Sequence, residues 1–132
     1  MLFTFSVETA ARNTFVNIDH LATEALQKSG ITDGIIAVYT PHTTAGITIN
    51  ENADPDVTRD LVYGMEKTFD NKKEYQHAEG NSDSHMKSSL VGAGETLIVH
   101  DGEIIYGTWQ SLYFAEFDGP RVRNVYFKVI EG

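Results

Sequence analysis

The sequence predicts an α+β fold: a mainly antiparallel sheet or sandwich of strand pairs with about three helices inserted between them. Three observations predict it. The opening LFTFSVE alternates apolar and polar residues, three stretches between residues 17 and 91 carry helical periodicity, and nearly everything from Glu95 onward is rich in β-formers.

Taken in order, LFTFSVE reads as the first strand. Asn17 then stands where it can cap a helix in which Ile18, Leu21, Ala22, Ala25 and Leu26 share one face, and Gly30 ends it. Residues 34–40 (GIIAVYT) and 45–50 (AGITIN) read as strands, and the few residues between them favour antiparallel pairing of the two over a helical crossover. Asp54 followed by Pro55 opens a second helix, where Val57, Leu61, Met65 and Phe69 recur every four residues as a core-facing stripe. Residues 70–81, DNKKEYQHAEGN, read as a polar loop. Ser82 or Asp83 can cap a third helix running to about Val91, with Met86 and Leu90 pointing inward. Four strands follow, ETLIVH, EIIYGTW, SLYFAEF and VRNVYFKVI, punctuated by Asp101-Gly102 and Asp118-Gly119-Pro120 turns.

The 132 residues fit one domain, 1–132, with 41% hydrophobic and 22% charged residues in ordinary globular proportion. Without cysteine there is neither a disulfide nor a thiolate nucleophile or ligand. No stretch reaches the ~18 apolar residues of a membrane span, and MLFTFSVETA lacks the features of a signal peptide, so the expected location is the cytoplasm. A net charge of −9 repels a phosphate backbone and excludes nucleic acid as the main partner. The one basic grouping, Arg121, Arg123 and Lys128, reads either as a solvated strand face or as an anion site.

Five histidines are present. His20, in the first turn of an amphipathic helix, and His100, beside a turn, read as structural. His42 follows a strand and Pro41, so its imidazole is held on a rigid element, with the hydroxyls of Thr43 and Thr44 beside it. His77 and His85 bracket HAEGNSDSH, a run dense in ligand-type side chains: Glu79, Asn81, Ser82, Asp83 and Ser84. Near the positive end of its helix His85 is expected to stay neutral, the form a metal requires. Three histidines without cysteine suggest zinc or another first-row divalent ion, with one coordination position left open. The residues alone leave two readings open, a shared metal site and three unrelated polar histidines.

Two carboxylates qualify for proton transfer, Glu79 and Glu116. By alternation Glu116 shares a face with Leu112 and Phe114, where its pKa could rise enough for acid–base work; pairing with Arg121 or Arg123 is the competing reading. Glu51, after the strand that follows His42, and Gln110, beside the single tryptophan, Trp109, are further polar candidates. Thr43, Thr44, Glu51, Asn81, Asp83, Gln110 and Arg121 make up the expected substrate-binding set.

The strings HTTAGITINENADPDV, HAEGNSDSHMKSSLVG and GTWQSLYFAEFDGPRVRNVYFKVI resemble the YjbQ-like family, small proteins linked to a secondary thiamine-phosphate synthase activity. The resemblance implies an α+β fold of strand pairs, assembly as a homotrimer, and a metal pocket drawn from His42, His77 and His85 and lined by Glu116 and Gln110. It also implies a reaction: a hydroxymethylpyrimidine diphosphate joined to a thiazole phosphate with release of diphosphate. Magnesium on oxygen ligands is the usual companion of a diphosphate leaving group, whereas three imidazoles prefer zinc-like ions. Three functions fit these residues: a metal-dependent enzyme with weak activity of that kind on a phosphorylated small molecule, a metal-dependent hydrolase of a small metabolite, and a non-catalytic trimeric metal- or ligand-binding protein.

Overall fold

The computed structural model describes residues 1–132. Eight strands, β1 (Leu2–Glu8), β2 (Thr14–Asn17), β3 (Gly34–Tyr39), β4 (Ala45–Glu51), β5 (Gly94–His100), β6 (Glu103–Ile104), β7 (Gln110–Glu116) and β8 (Val122–Glu131), are joined by three helices, α1 (Asp19–Ser29), α2 (Pro55–Thr68) and α3 (Ser82–Val91). They form a five-stranded sheet in the order β1-β8-β3-β5-β6 and a three-stranded sheet in the order β2-β7-β4. Every pairing is antiparallel. The α+β class with three helices is therefore the observed one.

One hydrophobic core joins the two sheets. Strand alternation turns Ile36 and Val38 of β3, and Val125, Phe127 and Val129 of β8, inward to meet Ile47 of β4, Leu112 and Phe114 of β7, and Ala22, Ala25 and Leu26 of α1. The helical face read from residues 18–26 is thus the buried one. The N-cap position of α1 is Ile18, not the expected Asn17, whose Oδ1 accepts from the Asp19 N–H at 2.9 Å just ahead of the helix, and Gly30 ends it at φ 70°, a backbone conformation only glycine adopts cheaply. Asp54 caps α2 by accepting from the Asp56 N–H at 2.9 Å.

The structure corrects four further sequence expectations. β3 and β4 do not pair; they lie in different sheets, and residues 40–44 form a corner between sheets instead of a hairpin. The corner is held from outside itself: the Thr40 N–H donates to Ala93 O and the Phe117 N–H to Thr44 O. The strand expected over residues 103–109 pairs only at Glu103–Ile104, because Gly107 to Gln110 fold into a turn in which the Gln110 side chain accepts from the Gly107 N–H. The α2 stripe lies on the expected face, yet no residue of α2 is fully buried. Finally, α3 is turned around: it buries Asp83, Ser84, Lys87 and Ser88 and leaves Leu90 66% exposed, with Met86 half-buried. The reason is partners. Ser84 and Ser88 donate to Phe117 O (2.6 Å) and Ala45 O (2.7 Å), and the Asp83 carboxylate is bridged by Arg12.

Candidate functional site

Three segments meet beyond the Ala45–Glu116 end of the smaller sheet. The corner after β3 supplies Pro41, His42, Thr43 and Thr44. The loop into α3 supplies His77, Glu79, Asn81 and, one turn inside the helix, His85. The β7–β8 connection supplies Asp118 and Arg121, and β8 supplies Arg123. Together they line a cleft of about 340 Å³ in which every side chain but that of Pro41 is polar. A site this polar suits a charged or strongly hydrated ligand.

The floor of the cleft is an ion pair. Glu116 is fully buried and Arg123 nearly so, and they are joined in a bidentate contact, with Arg123 Nε at 2.8 Å from Oε1 and Nη2 against Oε2. Thr9 Oγ1 donates to the same carboxylate at 2.8 Å, and the N–H groups of Phe117 and Asp118 donate at 3.1 and 3.0 Å. Burial pushes the Glu116 carboxyl up, but the Arg123 hydrogen bond, the Asp118 and Thr9 donors and the Arg123 charge together hold it below its ordinary range. This corrects the expectation of a raised acid. Glu116 remains ionised, fully occupied by donors and beneath the cleft wall instead of on it. Arg123 Nη2 also donates to Thr44 Oγ1 at 2.8 Å, so the pair fixes the corner that carries His42.

His42 is positioned from the other side. Its Nε2 accepts a hydrogen bond from the Asn124 N–H at 2.9 Å. Burial, then the nearby positive charge of Arg123, lowers its pKa; Glu116 opposes this, and Arg121 reinforces it. His77 and His85 face each other edge to face with ring centroids 5.2 Å apart. The loop between them is tied down by the Gly80 N–H donating to His77 O (3.1 Å) and Asn71 Nδ2 donating to Gly80 O (2.8 Å). Asn81 Nδ2 donates to Asp118 Oδ2 at 2.8 Å, which fixes the amide orientation, since the opposite flip would set oxygen against carboxylate. Asn81 Oδ1 is thereby left buried with no partner. Such an orphan is costly unless a ligand donor or a cation meets it.

The structure brings together His42, His77, His85, Thr43, Thr44, Glu79, Asn81 and Arg121 of the predicted set. It does not bring Glu51 or Gln110. They are register partners at the far end of the β4–β7 ladder, while Ala45 pairs with Glu116 at the near end. Six residues of strand separate the two ends, about 20 Å. Asp83 lies on the buried side of α3, between Arg12 (2.9 Å) and Lys87 (3.4 Å). Sequence reasoning missed Asp118, which reads only as a turn residue, and the Asn124 backbone amide, which carries no side-chain signal at all.

As a metal cage the three histidines fit in part. The ligand-type atoms of His42, His77 and His85 do not all lie within 4.8 Å of one another; the group that does is Asp33, His100 and Asp101, largely exposed beside β5, with His100 2.9 Å from Asp33 and 3.4 Å from Asp101. The His77–His85 pair and the orphaned Asn81 oxygen line one cleft and are the donors left there for a cation, whereas His42 Nε2 is engaged.

Comparison with known proteins bears on the family. The sequence profile described as UPF0047 protein YjbQ-like matches residues 3–132. The chain belongs to this family. It is 48% identical to a UPF0047 protein of Methanocaldococcus jannaschii over 98% of this chain and 94% of that one, and 48% identical to the UPF0047 protein YugU of Bacillus subtilis over 98% and 99%. A crystal structure of an uncharacterized YjbQ/UPF0047 family protein from Clostridium acetobutylicum superposes with a TM-score of 0.94 at 48% identity, covering 97% of this chain and 99% of that one. A YbjQ-like protein of unknown function from Sulfolobus solfataricus superposes with a TM-score of 0.94 at 26% identity, covering 100% and 97%. No helix of this YjbQ-like protein is long and apolar enough to cross a membrane.

Proposed function

We propose that the cleft is the active site of a metal-assisted enzyme acting on a phosphorylated small molecule, with thiamine-phosphate synthesis as the reaction the family resemblance implies. One observation carries this reading: a predominantly polar cleft that sets three histidines beside Thr43, Thr44 and Arg121. The charge balance supports the metal. Arg121 and Arg123 are matched on the cleft wall by Glu79 and Asp118, and Arg123 is further neutralised by Glu116. A phosphorylated substrate therefore needs a positive charge that the wall does not supply, in a chain of net charge −9.

His77 and His85 would hold the ion, with the Asn81 oxygen as a third donor; nitrogen ligands favour zinc over magnesium. When bound, the ion supplies charge neutralisation for an anionic leaving group. Diphosphate leaves as the C–O bond to the pyrimidine methylene breaks and the thiazole ring nitrogen forms a C–N bond to the same carbon; the Thr43 and Thr44 hydroxyls and Arg121 are the groups available to bind the departing diphosphate. Glu79 stands exposed at the rim of the cleft, and the condensation, in which a neutral ring nitrogen becomes a thiazolium, releases no proton for it to accept. The organic rings of such a substrate have little apolar surface in the cleft, but an adjoining groove of about 510 Å³ shares His85 and carries Phe69, Met86 and Leu90.

Purified protein assayed with the two precursors, with and without chelator, tests the proposal. Turnover should require metal and vanish in His77→Ala and His85→Ala; activity indifferent to both substitutions would sink it. Self-association, with a homotrimer as the implied assembly, is supported by a cross-strand row of exposed isoleucines, Ile35, Ile98 and Ile130, on the outer face of the larger sheet. An Ile98→Asp variant that runs at the same mass as the parent in light scattering would remove that row from the interface.

A further inference from the structure

Resting on the reading above, the geometry points to His42 as an anion donor of fixed tautomer, not a metal ligand: its Nδ1–H binds a phosphate oxygen while the metal depends on His77 and His85. A backbone N–H can only donate, so the contact of the Asn124 amide with Nε2 (2.9 Å) requires a lone pair on that nitrogen. The ring is then neutral with its one proton on Nδ1, and neither nitrogen has a free lone pair for a cation. Metal-binding histidines follow the opposite pattern. Their non-ligating nitrogen donates to a carbonyl or carboxylate, which leaves the other lone pair toward the ion.

The contact is not a loose one that a metal would readily displace. Asn124 belongs to β8, whose carbonyl at that residue accepts from Thr40 Oγ1 (3.2 Å), two residues before His42. Arg123, the preceding residue, grips Thr44, two residues after it. Strand and corner are therefore clamped on both sides of the imidazole. Around the ring, Thr43, Thr44 and Arg121 line the same cleft, so a donor there joins other donors.

Nitrogen-15 NMR of the metal-free protein reads the tautomer directly. The expected result is a pyrrole-type Nδ1 and a pyridine-type Nε2 in His42, unchanged on adding zinc; an Nε2–H tautomer, or a zinc-induced shift of Nδ1, overturns the assignment. Titration with zinc alone and then with inorganic phosphate separates the roles. His42→Ala should keep its zinc affinity within about threefold of the parent yet lose about tenfold or more in phosphate affinity, the scale of one hydrogen bond to a charged group. His42→Gln, whose amide can both accept from Asn124 and donate, should recover part of that loss. Zinc lost from His42→Ala as completely as from His85→Ala would make His42 a ligand and refute the inference. If the parent binds no zinc, the metal reading fails by itself, while the tautomer and the phosphate titration still decide the role of His42; a parent that binds no phosphate refutes that role.

Discussion

Substituting Glu116→Gln should cost stability before it costs chemistry. The carboxylate is fully buried and takes hydrogen bonds from Arg123, Thr9 and two backbone amides. The amide keeps the shape but removes the charge, leaving the nearly buried Arg123 guanidinium without its counter-ion and setting an NH₂ group among donors. Removing one partner of a buried ion pair costs about 3–5 kcal/mol. With an unfolding entropy of roughly 2.1 cal/mol/K per residue, a chain of this length loses about 10–18 °C in Tm. The acid limb should change as well. Glu116 titrates below its ordinary value when folded, so the unfolded chain binds the proton more readily; the stability it contributes is present above pH ~4.3 and is lost as pH falls through the lower folded value. Calorimetry from pH 3 to 7 on the parent, Glu116→Gln and Glu116→Gln/Arg123→Met would show a steep acid limb, a flattened one, and partial recovery of Tm in the double variant. A Glu116→Gln protein melting within about 3 °C of the parent, with its acid limb intact, would refute the buried-pair account.

Asp83→Asn should destabilise by about 3–5 kcal/mol in urea titrations, because Lys87, 1% exposed, loses its only carboxylate while Arg12 can return to solvent. Gly46→Ala should cost about 1–3 kcal/mol by the same measurement, since its Cβ would meet Gly92 O at 2.7 Å and Val91 Cγ1 at 2.9 Å, forcing α3 away from β4. His42 resists protonation in the folded state, so its contribution is present above pH ~6.5 and declines as pH falls from there toward its lowered folded value; His42→Gln should remove that part of the pH dependence in chemical denaturation, and an unchanged profile would count against the burial described.

How much was legible follows from what each signal depends on. Local signals held: Asp54-Pro55 started α2, Asp101 and Gly102 adopted positive φ (50° and 79°) in the tight turn before β6, and the 18–26 periodicity gave the buried face of α1. Signals that depend on distant partners did not. Residues 34–40 and 45–50 look like a hairpin because proximity in sequence says nothing of a corner between sheets. Met86 and Leu90 look like a core stripe because the partners that bury the opposite face, Arg12, Asn13, Ala45 and Phe117, lie more than twenty residues away in the chain. The histidine cleft was legible as residue types, His42, His77 and His85. Its geometry was not, since Gln110 and Glu116 are close in sequence but stand at opposite ends of one extended strand.

The placement of β8 between β1 and β3 sets when this protein can fold. During synthesis β1 emerges more than a hundred residues ahead of its sole neighbour, which begins at Val122. At ordinary elongation rates of about 5–20 residues per second the first strand waits roughly 6–23 s with both edges open. Arg123 and Asn124, which set the ion pair and the His42 contact, arrive in the same late segment. The nascent chain thus carries a histidine-bearing corner it cannot yet organise, and a ribosome-stalled product short of β8 should be protease-sensitive throughout the larger sheet.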